Sequence, residues 1–123
     1  MLRMNESPIR PLREDEVRFK ISIVPEHIPV RGNALASGDP AIDRAAEEAI
    51  LARLDQGDIW AWCTVFLTAR WRGFDDFDVL GCCSYEDEED FKRCDYYADM
   101  KDRALEELNR KLQLVGELVE AEP

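Results

Sequence analysis

The stretch "DIWAWCTVFLTARWRGFDDFDVLGCCSY", residues 58–85, decides the fold class. Between residues 59 and 71 every odd position is apolar: Ile59, Ala61, Cys63, Val65, Leu67, Ala69 and Trp71. The even positions hold Trp60, Trp62, Thr64, Phe66, Thr68 and Arg70. A period of two over this length predicts a strand with one fully apolar face and one partly aromatic face. "GFDD" (73–76) supplies turn residues, and "FDVLGCCSY" (77–85) reads as the returning strand of a hairpin. Gly81, inside that second run, predicts a bulge or a close contact.

Upstream, "VRFKISIV" (17–24) also alternates, with Val17, Phe19, Ile21 and Ile23 on one side. A loop, "PEHIPVRGNALASGD" (25–39), leads to a helix with Asp39 as N-cap, Pro40 at the first position and Gly57 near its stop. Ile42, Ala45, Ala46, Ala49, Ile50 and Leu54 form its apolar stripe, with Arg44, Glu47, Glu48 and Arg53 facing away. A C-terminal helix capped by Asp95 carries a stripe from Tyr97 and Met100 through Leu108 and Leu112 to Val119. The expected fold is therefore α+β: a small antiparallel-rich three-stranded sheet in the order β-α-β-β-α, with two helices on one face. A split layout, with the third strand between the first two, is the expected strand order. Residues 1–16 are expected to form a flexible arm, and 17–123 a single α+β domain.

The start, "MLRMNESPIRPLREDE", holds no apolar core of signal-peptide length, and no apolar run approaches the ~20 residues that span a bilayer. The expected location is the cytoplasm. The cysteines Cys63, Cys82, Cys83 and Cys94 contain no CxxC spacing and are expected to be reduced. Neighbours on a strand point to opposite faces, so Cys82 and Cys83 do not readily share an ion. His27, beside Glu26, is the single histidine, and nothing in the sequence joins it to a cysteine. No phosphate-binding glycine pattern occurs. The expectation is no metal, no cofactor and no catalytic residue.

Charge is the most informative property. The net charge is −11, and residues 75–107 hold 13 acids against 4 bases. Such a field repels nucleic acid and anionic membrane and favours a basic partner. Asp75, Asp76 and Asp78 precede the third strand, and Glu86, Asp87, Glu88, Glu89 and Asp90 follow it; these eight are the candidate partner contacts. Trp60 and Trp62, on the even face of the second strand, are a further candidate interface, with a partner or in a homodimer. The competing explanation for the acids is a solvated helix start, where negative charge is favourable.

At "PEHIPVRGNALASGD", "GDIWAWCTVFLTARWRGF" and "LGCCSYEDEEDF" the chain resembles a small family of acidic proteins of tailed phages and prophages, over about residues 19–108. The resemblance assigns no residue a role. It implies a phage accessory protein made in a bacterial host. By class-level analogy, it implies an inhibitor such as a DNA mimic or an anti-CRISPR protein, docked on a host nucleic-acid-handling or defence protein. The alternative is a small enzyme or ligand-binding protein using the 25–39 loop, with Glu26, His27 and Arg31, or a homo-oligomeric accessory factor.

Overall fold

The computed structural model describes residues 10–121. Its elements are β1 (Arg18–Pro25), α1 (Pro40–Asp55), β2 (Cys63–Trp71), β3 (Phe74–Cys83), α2 (Glu88–Lys92) and α3 (Asp95–Ala121). Single 3-10 turns occupy Glu14–Glu16 and Ile59–Ala61. The fold is α+β, a three-stranded antiparallel open sheet with two main helices, α1 and α3.

The strand order is β1-β2-β3, not the expected split layout with β3 in the middle. Composition gives the reason. The inward residues of β2, namely Cys63, Val65, Leu67 and Ala69, are fully buried, so this strand takes the centre. A central β3 would bring Asp75, Asp76 and Asp78 under two neighbours, where unpaired carboxylates are costly. The hairpin turn is also tighter than "GFDD" suggests. Arg72 (φ 50°) and Gly73 (φ 86°) are both left-handed, a two-residue primed turn, so Phe74, Asp75 and Asp76 already belong to β3. The second strand is correspondingly shorter than expected, because residues 59–61 coil into the 3-10 turn.

The chain forms two compact units, through which all three strands pass. The first comprises the described residues up to Lys20, Leu67–Asp78, and those from Ala98 onward. Its core is Ala69, Ala104 and Leu108, with Leu12, Val17, Phe19, Trp71, Phe74 and Leu112 packed around them. Of the arm expected over 1–16, residues 1–9 lie outside the described residues. Residues 10–16 are fastened: Leu12 exchanges hydrogen bonds with the Asn109 side chain (2.8 and 3.2 Å), Arg10 pairs with Glu16, and Glu14 with Lys101, each at 2.7 Å.

The second unit comprises Ile21–Phe66 and Val79–Tyr97. Here Asp39 caps α1 by accepting the Ala41 N–H at 2.9 Å, and Pro40 opens the helix. The buried face of α1 is rotated from the expected one. Ile42 is exposed, whereas Glu47 is buried and accepts from the Gly32 N–H (2.9 Å) and Arg31 (3.3 Å). Arg53, also expected outside, bonds Asp58 at 2.8 Å and the Tyr85 carbonyl at 2.6 Å. The 25–39 loop is thereby tied to α1, and that helix to the end of β3.

Candidate functional site

The acidic run after β3 folds upon itself. The Asp87 side chain caps α2 by accepting the Asp90 N–H at 2.9 Å, and Asp90 in return accepts the Glu86 N–H at 2.9 Å. Two of the five acids are thus consumed in shaping the turn. Beneath them Phe91 is fully buried, with ring centroids 5.1 Å from Tyr85, edge-on, and 6.1 Å from both Trp60 and Tyr97. The Tyr85 N–H donates to the Trp60 carbonyl at 3.0 Å, which fixes the entry to the turn. Glu86, Asp87, Glu88 and Glu89 are left exposed on a fastened segment. Lys92 lies 3.3 Å from Glu88 and 3.7 Å from Glu89, and Arg93 lies 3.3 Å from Asp90. The hydrogen bond that Lys92 donates to the Glu88 carboxylate, with the charge of Glu89, raises the Lys92 pKa.

Asp75, Asp76 and Asp78 are placed differently. They belong to the first unit and the run 86–90 to the second. Each of the three is paired with a base of its own unit: Asp75 with Arg70 (3.2 Å), Asp76 with Lys111 (3.4 Å) and Asp78 with Arg103 (2.9 Å). Asp75, Asp76 and Asp78 are therefore each compensated, whereas at 86–89 a single base, Lys92, stands beside both Glu88 and Glu89.

The tryptophans do not form the exposed face that strand alternation suggests. Trp62 is only 3% exposed, and its indole N–H donates to the Ile28 carbonyl at 2.6 Å. Trp60 lies in the 3-10 turn, half-buried against Phe91. Loss of strand geometry at 59–61 is the physical reason, since the period of two ends where the chain coils. Both rings pack within the second unit.

One organising residue escapes a sequence reading. The Glu26 side chain is 2% exposed. It accepts from the Cys82 N–H (2.6 Å), the Thr64 hydroxyl (2.8 Å) and the Ile28 N–H (3.2 Å). These donors, that of Cys82 foremost, hold its carboxyl down at about 2. Cys82 takes a left-handed φ of 54°, and a Cβ on Gly81 would stand 3.1 Å from the Glu26 Oε1. Gly81 therefore marks a close approach, as its place in a strand predicts; what approaches is a side chain 55 positions earlier. His27 is 94% exposed, with Nδ1 3.6 Å from Glu26. Burial pushes the Cys63 thiol up to about 11 and the Cys83 thiol up to about 12, and burial with the Glu26 charge raises that of Cys82. Each shift favours the protonated thiol over the thiolate. All four cysteines are free.

Among the described residues no three or more His, Cys, Asp or Glu side chains converge as a metal site. Two of the depressions among the described residues are well defined. One of about 690 Å³ lies in the first unit between residues 10–12 and α3, and one of about 290 Å³ in the second beside Gly81–Tyr85. No helix among the described residues is long and apolar enough to cross a membrane. No family model matches the chain, and neither a curated protein nor a solved structure shows significant similarity to it.

Proposed function

We propose that this chain is a non-enzymatic binding protein that offers the carboxylates of Glu86, Glu88 and Glu89 to a basic surface of another protein. The observation that carries this reading is the fastening of the acidic turn. Phe91 anchors it from below, and the mutual caps of Asp87 and Asp90 fix its backbone. A charged segment already held in shape loses less conformational freedom on docking than a mobile acidic tail. Carboxylates set against arginine and lysine take the place of phosphates and speed association at low salt. A nucleic-acid-handling or defence protein of a bacterial host, the class implied by the phage resemblance, is the partner we propose.

The test compares two variants of equal charge. In one, Glu86, Glu88 and Glu89 become glutamine; in the other, Asp15, Glu117 and Glu120 become their amides. Each is used as bait in a bacterial lysate at about 0.05 M and about 0.5 M salt, a range over which exposed charge pairs become screened. Capture of the same basic protein by wild type and the second variant, but not by the first, supports the reading. Equal loss from both variants reduces the effect to net charge and sinks it.

A further inference from the structure

The apolar stripe of α3 outlasts its core. Met100, Ala104 and Leu108 are fully buried, and Leu112 packs beside them. The same face continues through Val115 and Val119 at helical spacing, widened by Leu114 and Leu118. Leu114 is 55% exposed, Leu118 70% and Val119 41%. In the last eight helical residues, "LVGELVEA" (114–121), Glu117 and Glu120 are the sole charges, and both lie on the opposite side of the helix.

We propose that this face pairs with the same face of a second copy, the two α3 ends running antiparallel about a twofold axis near Val115. Two charge relations favour a second copy over a basic partner. Residues 108–123 carry 3 acids and 2 bases, so two chains of net −11 meet here without opposing their acidic regions. The last turn of α3 contains no basic residue, so the negative end of its dipole is uncompensated within one copy. Antiparallel pairing sets that end beside Leu112 of the other chain. There the hairpin tip packs on the same core, with the Arg72 guanidinium 4.8 Å from the Trp71 ring centroid. The proposed pairing brings the Arg72 of each copy toward the other's helix end, the self-complementarity a twofold contact requires.

Sedimentation velocity on the full chain, from about 5 µM to about 500 µM, tests this, since two helical turns make a contact at the weak end of the interface range. Wild type shifts from monomer to dimer as concentration rises. Leu118→Lys raises the dissociation constant about 100-fold, because each dimer buries two such side chains, and leaves the circular dichroism unchanged. Arg72→Asn separates charge from fold. Asparagine suits the left-handed φ better than arginine, so the monomer melts no lower, while dimerisation weakens about 2- to 5-fold. A wild type that stays monomeric throughout overturns the proposal, as does a dimer that survives Leu118→Lys or ignores Arg72→Asn. Dimerisation seen only after removal of residues 1–9 assigns the face to those residues and overturns it equally.

Discussion

Glu26 and Cys82, 56 positions apart, are joined by a 2.6 Å hydrogen bond from the Cys82 N–H to the Glu26 Oε1, the shortest of three that end on that carboxylate. The bond ties the chain just beyond β1 to the far end of β3. A carboxylate at this depth is tolerated because the donors replace its lost water.

Truncating it should be expensive. Glu26→Ala leaves the Cys82 N–H and the Thr64 hydroxyl without their acceptor. We expect a loss of about 3 kcal/mol in unfolding free energy, at the upper end for bonds to a charged group. Urea denaturation checks it; a loss under about 1 kcal/mol would show that water substitutes freely.

The same carboxylate sets an acid limit. Its folded pKa of about 2 lies below the ordinary 4.5, so the unfolded chain takes up the proton first as pH falls. The Glu26 contribution is complete above about pH 4.5 and disappears progressively down to about pH 2. Glu26→Gln should flatten stability against pH in that window. Glu16, held at about 2 mainly by Arg10, titrates in the same range and remains in both proteins, so the difference between their curves isolates Glu26.

Gly81→Ala tests the close approach. The new Cβ meets Oε1 at 3.1 Å, so the carboxylate must move by a few tenths of an ångström. A cost of about 1 kcal/mol is expected, within the usual range for single substitutions. The same change made on Glu26→Ala should cost almost nothing, because the obstructing oxygen is gone. Additive costs in that double-mutant cycle would refute the contact.

The acidic turn separates into shaping and presented residues. Asp87→Ala removes the α2 cap and should cost about 1 kcal/mol. Phe91→Ala empties the site between Trp60, Tyr85 and Tyr97 and should cost about 3–5 kcal/mol. Glu89→Gln should stay within about 0.5 kcal/mol of wild type. If thermal melts rank these three differently, the turn is not fastened as described. Reversing Asp90 would confuse the two roles, since it bonds the Glu86 N–H.

Much of the fold is legible in local pattern. The strand at 63–71, the Asp39–Pro40 helix start and the stripe of α3 each follow from side-chain period or capping chemistry within a few residues. Strand order, the rotation of α1 and the burial of Glu47 are long-range outcomes. They depend on which faces meet and which donors arrive, and Gly32 lies 15 positions from the glutamate it satisfies. The acidic run was visible as charge, but not which acids cap and which remain presented. That division needs Phe91 underneath. Trp62 misleads because alternation runs through 59–62, four residues beyond the end of the strand at Cys63.

The central place of β2 also bears on how the chain assembles. β2 and β3 are joined by two residues and can zip together as a local hairpin within microseconds. β1 must instead close over residues 26–62, and the entropy of that long closure falls before its hydrogen bonds are made. Until it arrives, the most apolar strand of the protein stands at an open edge. Nascent chains are then most prone to pair with one another along β2, so a slow-docking β1, rather than an unstable hairpin, sets the window for aggregation during synthesis.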